Sequence, residues 1–136
     1  MFAEQAGLSL EYGRTLATKE TFEKSISDFF HDDDAMGCNV TAPFKEQVAN
    51  WVGELSAGAK LAGAVNTVIR RADGSFFGDT TDGGGVVQDL NRLGVKLKDA
   101  KILLLGAGGA ARGVLQSLLA LEPNLLVLAN RTEARA

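Results

Sequence analysis

The feature that most restricts how this chain can fold is its run from Lys101 to Ala129. Lys101 to Leu105 is a continuous apolar stretch that reads as a buried strand, Gly106 to Gly109 is a glycine loop, and Ala110 to Leu121 carries helical periodicity. After Pro123-Asn124, Leu125 to Ala129 reads as a second buried strand. Strand, loop, helix and strand make one βαβ unit. The loop Gly106-Ala107-Gly108-Gly109-Ala110-Ala111 fits G-x-G-x-x-A. The first glycine permits the tight turn, the second lets backbone approach a pyrophosphate, and the small Ala111 lets helix and strand pack closely. The free N–H groups at the helix start would then face the anion. Gly106, Ala107, Gly108, Gly109 and Ala110 are therefore the expected cofactor-binding loop.

The end of the second strand indicates which dinucleotide. NAD-binding versions of this fold place an acid there to hold the ribose 2′-hydroxyl. Here the segment is Asn130-Arg131-Thr132-Glu133-Ala134-Arg135, which offers two guanidinium groups and a hydroxyl to a 2′-phosphate. The single acid, Glu133, falls in the first turn of a helix that Thr132 would cap. NADP is the expected cofactor. Sheets of this kind have about six strands, and two are read here, so the chain is expected to belong to a longer protein.

Composition excludes several other classes. Apolar residues make up 46% and charged residues 23%, the balance of a soluble globular chain. A net charge of −3 gives no basic field for nucleic acid or anionic lipid. The start lacks a basic n-region and a long apolar core, and no apolar run approaches the ~20 residues of a membrane span. The expectation is a cytoplasmic protein with a small-molecule substrate and no nucleic-acid or membrane partner, monomeric or homodimeric. The single cysteine, Cys38, lies in an apolar run and reads as a small buried residue. His31 beside Asp32-Asp33-Asp34 reads as a solvated loop, since adjacent side chains diverge, and no metal is expected.

Upstream of the βαβ unit the pattern is a mixed α/β one. Phe2 to Ala6 before Gly7 reads as the end of a helix, and Leu10 to Ala17 as a strand. Phe22, Ile26, Phe29 and Phe30 recur at helical spacing from about Thr21 to Phe30. Gly37 to Val40 is a short strand, and Pro43 is expected at the first position of the next helix, buried through Phe44, Val48, Trp51 and Val52. A short helix over Ser56 to Leu61 follows. Val65 to Arg71 and Ser75 to Gly78 flank an Asp73-Gly74 hairpin turn, and Val86, Val87, Leu90 and Leu93 mark a helix that ends at Gly94. The expected architecture is thus α/β: an N-terminal α/β substrate domain over 1–97 and the first βαβ unit of a Rossmann-type domain over 98–136.

Three polar positions in the first unit invite chemistry. Lys45 follows Pro43 in the first turn of a helix, where the positive end of the dipole disfavours a cation and so favours a group that gives up its proton. Asn66 interrupts the apolar stretch Ala62 to Ile69, as a turn residue or as a site residue. Asp82 closes the polar run from Asp79, as a helix cap or as a functional carboxylate. Asn39 and Thr41 share one face of a strand end.

Taken together, the segments N-V-T-A-P-F-K from Asn39, A-G-A-V-N-T from Ala62, G-D-T-T-D-G from Gly78, G-A-G-G-A-A-R-G from Gly106 and N-R-T from Asn130 resemble the shikimate dehydrogenase family, in order and in spacing. The resemblance implies reversible NADPH-dependent reduction of 3-dehydroshikimate to shikimate in aromatic amino-acid biosynthesis. It makes Lys45 the catalytic acid/base and Asp82 its partner, with Thr41, Asn66 and Asp82 binding substrate. Asn130, Arg131, Thr132 and Arg135 would hold the adenosine 2′-phosphate end. A carboxylate at Asp82 opposes the helix dipole in its effect on Lys45. Family members begin with a serine-containing loop, S-x-S-x-P, that this sequence does not show, and a Tyr and a Gln of the later strands are also not present; Thr80 stands where Asn is common. The 136-residue chain by itself is accordingly expected to lack turnover. Two rivals share the motifs: a quinate/shikimate dehydrogenase, which should prefer NAD and is disfavoured by Arg131, and a non-catalytic NADP-binding module, disfavoured by the retained Lys45 and Asp82.

Overall fold

The structure, a computed structural model, describes residues 2–132. Helix α1 (Phe2–Gln5) ends at Gly7, whose φ of +66° is the left-handed cap that glycine adopts without penalty. Residues 8–18 form no strand, contrary to the sequence expectation for Leu10 to Ala17. Alternation alone does not make a strand: among the described residues this segment makes no backbone ladder with any neighbour, and it is tethered through side chains such as Tyr12, whose hydroxyl donates to Asn39 Oδ1 at 2.7 Å.

Helix α2 (Phe22–Phe29) buries Phe22 and Ile26, as its spacing predicts. Strand β1 (Gly37–Asn39) leads to helix α3 (Lys45–Trp51), strand β2 (Glu54–Leu55) and helix α4 (Ala57–Ala62). Ser56 caps α4 by accepting from the Ala59 N–H, and Gly63 closes it in the left-handed region. Strands β3 (Thr67–Arg70) and β4 (Phe76–Asp79) are the expected hairpin, with Gly74 at φ +81° in its turn. They complete a four-stranded sheet in the order β1-β3-β4-β2. Pairing is antiparallel except for β2 with β4. The core of this unit is a cluster in which Val48, Val65 and Val68 are the largest fully buried side chains. Phe30, Trp51 and Phe76 pack against one another at its edge.

Helix α5 (Asp82–Arg92) runs from the sheet towards the second unit, where β5 (Lys101–Leu105), α6 (Gly109–Leu119) and β6 (Leu125–Ala129) form the βαβ unit, its two strands parallel and in register from Lys101↔Leu125 to Leu105↔Ala129. The two apolar strands are covered on one face at most, as two parallel strands with few neighbours must be. Leu103 and Leu105 are 62% and 74% exposed, with Leu125 and Val127 beside them on the same face. Ile102, Leu104, Leu126 and Leu128 on the other face are partly covered. Helix α6 packs against both α4 and α5, so the glycine loop is carried onto the first unit. No helix among the described residues is long and apolar enough to cross a membrane.

Candidate functional site

Lys45 and Asp82 meet where the two units join. Lys45 Nζ donates to Asp82 Oδ2 at 2.5 Å, and the two side chains are only 14% and 25% exposed. Each is the first residue of its helix. At that position the macrodipole favours a carboxylate and disfavours an ammonium. The pair offsets the second effect with the first.

The expected helix opening at Pro43 is displaced by two residues. The Ala42–Pro43 bond is cis, Phe44 N–H donates to the Thr41 carbonyl at 3.0 Å to close a turn, and the helix starts at Lys45. Phe44 stacks on Phe22 of α2 with centroids 4.8 Å apart, which fixes the approach to α3. The Lys45 carbonyl accepts from Val65 N–H at 2.8 Å, tying the start of α3 to the residue before Asn66.

Asn66 is neither a turn residue nor a solvent-facing one. Its side chain is a bracket. Nδ2 donates to Asp82 Oδ1 at 2.7 Å and to Thr81 Oγ1 at 3.1 Å. Oδ1 accepts from Thr67 Oγ1 at 2.8 Å and from Thr81 N–H at 3.1 Å. This set fixes which end of the amide is which, because a flipped amide would turn its oxygen onto a carboxylate. One carboxylate oxygen of Asp82 is thereby bound to Asn66, and the other is presented to Lys45. The N-cap residue of α5 is Thr81, whose side chain makes no capping bond among the described residues, and Asp82 is the first residue of the helix.

A cleft of about 950 Å³ opens beside the pair, lined among others by Tyr12, Asn39, Thr41, Lys45, Asn66 and Asp82. Thr41 is exposed on its wall. Cys38 also faces it, half-buried, and burial pushes its thiol up to about 11. That a hydroxyl at Tyr12 completes the wall through Asn39 was not visible in the sequence, since nothing local links residues 27 positions apart.

The glycine loop closes the site on its other side. Gly106 has φ +108°, a value that side-chain-bearing residues rarely adopt, and Ala107 is buried. At Gly106 and Gly108 a Cβ would meet nothing within 4 Å, so the space over the loop is open. Gly108 is an extended N-cap without a side-chain bond, and the first turn of α6 holds no acid. These residues fit a pyrophosphate, which needs free backbone donors and room for close approach. At Gly109, by contrast, a Cβ would lie 3.3 Å from Lys45 Cβ, so the loop packs directly on the lysine. Further along, Asn130 Nδ2 donates to the Thr132 carbonyl at 2.7 Å, and Arg131 and Thr132 are exposed. Arg135 lies outside the described residues.

Fold and site together define an α/β protein in which a polar cleft with a lysine–carboxylate pair abuts the glycine loop of a βαβ unit. Residues 1–68 match the family described as the shikimate dehydrogenase substrate binding domain, and the chain belongs to it. It is 53% identical over 136 residues to the shikimate dehydrogenase (NADP(+)) of Aeromonas hydrophila, covering 100% of this chain and 50% of that protein. The solved shikimate dehydrogenase of Aquifex aeolicus superposes with a TM-score of 0.88 at 34% identity, over 98% of this chain and 49% of that one. Shikimate 5-dehydrogenase of Thermus thermophilus, solved in complex with NADP(H) and shikimate, does so with a TM-score of 0.86 at 33% identity, over 98% and 49%. The chain spans about half the length of the curated relatives it matches.

Proposed function

We propose that this chain supplies the proton-transfer site and the opening of the cofactor site of an NADP-dependent shikimate dehydrogenase. The protein carrying it would be an oxidoreductase that reversibly reduces 3-dehydroshikimate to shikimate, within aromatic amino-acid biosynthesis. The observation that carries this reading is the Lys45–Asp82 pair at 2.5 Å, braced by Asn66 and packed against the glycine loop through Gly109.

Reduction of a ketone to an alcohol needs a hydride on carbon and a proton on oxygen. Bound NADPH would supply the hydride. Lys45 gives its ammonium proton to the developing alkoxide, and in the reverse direction the neutral amine takes it back. Asp82 holds the ammonium in place through Oδ2. Thr41 and Asn66 are proposed to receive substrate hydroxyls, Thr41 from the cleft wall and Asn66 by exchanging a present bond for one to substrate. Gly106 to Ala110 would receive the pyrophosphate, and Asn130, Arg131, Thr132 and Arg135 the 2′-phosphate end. The relatives' names support both substrate and cofactor.

The test is NADP⁺ reduction with shikimate by the intact enzyme that carries this chain, beside the same assay with quinate and with NAD⁺. Turnover confined to shikimate and NADP⁺ is expected. Absence of shikimate turnover in a folded, NADP-binding enzyme would overturn the reading.

A further inference from the structure

Two consecutive residues of α6 touch opposite flanks of the lysine–carboxylate pair. Arg112 Nη2 forms an ion pair with Oε1 of Glu46, the residue after Lys45. Gly113 faces the other partner: a Cβ there would lie 3.3 Å from Asp82 Oδ2 and 3.0 Å from Thr80 Oγ1. One turn earlier, Gly109 sits on Lys45 and Glu46, with Glu46 Cγ 3.6 Å from the position of a Cβ. The helix that leaves the glycine loop is therefore laid across both members of the pair. Within α6 the one charged side chain, Arg112, reaches over to Glu46.

The setting of that head group is specific. Arg112 has a side chain 38% exposed, yet its Nε is buried without a hydrogen-bond partner among the described residues. A buried donor left unmet is costly, so an arginine lying unconstrained along α6 would be expected to turn Nε to water. Part-exposed ion pairs contribute little to stability. What this one adds is a tie between α3, which begins with Lys45, and α6, which leaves the glycine loop.

We propose that Arg112 is a positioning residue: by gripping Glu46 it fixes the glycine-loop helix against the first turn of α3, so that a dinucleotide on the loop and the ammonium of Lys45 converge on the same carbonyl. The proposal rests on the functional reading above. Arg112 touches neither proton nor hydride, and acts only by setting the distance between their donors.

The experiment compares R112L, R112K, R112E and the charge-swapped E46R/R112E in the intact enzyme. It reads kcat, both KM values and the isotope effect with shikimate deuterated at the carbon that is oxidised. R112L is expected to lose about tenfold in kcat with the shikimate KM nearly unchanged, since displacements near 1 Å can cost up to ~10²-fold. Its isotope effect should rise, because hydride transfer is the step slowed, and a merely structural role would not move that ratio. R112K should be intermediate, and the swap should recover most of what R112E loses. Wild-type turnover and isotope effect in R112L, a swap no better than R112E, or a loss confined to the NADP⁺ KM would each overturn the proposal. Should R112L fail to fold, R112K and the swap decide by the same criteria. An unmodified enzyme without shikimate turnover overturns the functional reading and this inference with it, an outcome distinct from an active enzyme indifferent to Arg112.

Discussion

Lys45 Nζ and Asp82 Oδ2 stand 2.5 Å apart although they lie 37 positions apart in the chain. The contact is made by folding two helix N-termini to one point, with the sheet's β3–β4 hairpin between them in sequence. Asn66, at the entrance to β3, holds the carboxylate from behind. The pair is thus set by main-chain architecture, and the glycine loop leans on it. Replacing Lys45 by Ala in the intact enzyme should lower kcat by about 10²–10⁴, the range for loss of a general acid/base, with substrate KM changed far less. A variant with near-normal turnover would remove Lys45 from the chemistry.

Asn66 is expected to matter in a way that a purely substrate-binding residue would not. Asn66→Ala deletes a bracket whose partners include Asp82 Oδ1 and the Thr81 N–H. Leaving buried polar groups unmet costs about 1–3 kcal/mol each, so the melting temperature should fall measurably as well as kcat. Thermal denaturation of the ligand-free intact protein separates the cases: an unchanged Tm with only a raised KM would reduce Asn66 to a substrate contact.

Much of this is legible in the sequence, for physical reasons. The βαβ unit, the hairpin at Asp73-Gly74 and the helices announce themselves through periodicity and turn chemistry, which are local. Strand β2 does not, because two residues, Glu54 and Leu55, carry no alternation. The stretch from Leu10 to Ala17 failed in the opposite sense: its pattern suits a strand, but a strand is a property of two segments. Lys45, Asn66 and Asp82 could each be singled out, yet for the last two the residues alone left cap or turn and site equally open. Their bond to one another is long-range, so no local pattern announces it. Arg112 with Glu46, and Tyr12 with Asn39, had no sequence signal at all.

Cofactor choice should follow Arg131, which stands exposed after β6. Arg131→Asp in the intact enzyme is expected to weaken NADPH use by at least about tenfold, since a charge-assisted bond is worth roughly 1.5–3 kcal/mol. NADH use should fall much less or improve. Parallel kinetics with both cofactors make the check, and an equal loss for both would assign Arg131 to folding.

Cys38 should behave as a protected thiol. Burial raises it from 9.0 to about 11, so at pH 8 its thiolate is scarcer than in the unfolded chain. Alkylation by iodoacetamide at pH 8 should be slow in the folded enzyme and fast in urea. The sign for stability follows from the raised value. The folded state holds the proton longer, so the contribution of Cys38 is intact below about 9 and is lost as pH rises towards 11. A Cys38→Ala variant should therefore lose less stability than wild type over that window, as read by denaturant melts at successive pH values.

The seam between the two units gives the sharpest stability contrast, because two adjacent glycines of α5 differ completely in surroundings. A Cβ at Gly83 would lie 2.2 Å from Ser117 Oγ, 2.8 Å from Ser117 Cβ and 2.8 Å from the Gly113 carbonyl oxygen. A serine hydroxyl can rotate away, but the carbonyl belongs to the backbone of α6. Gly83→Ala must therefore push the helices apart, and overpacking of this kind costs typically about 1–3 kcal/mol. At Gly84 nothing lies within 4 Å of a Cβ. Glycine inside a helix is roughly 0.5–1 kcal/mol worse than alanine, so Gly84→Ala should stabilise by up to that amount. Because Asp82 immediately precedes Gly83, the first substitution should also lower kcat, and the second should leave it near wild type. Adding Ser117→Ala to Gly83→Ala should recover only part of the loss, since the Gly113 carbonyl stays where it is. Urea denaturation of the intact enzyme and its three variants measures all of this. Equal effects at Gly83 and Gly84, or full recovery on removing the serine hydroxyl, would show that α5 and α6 are not in the close contact described.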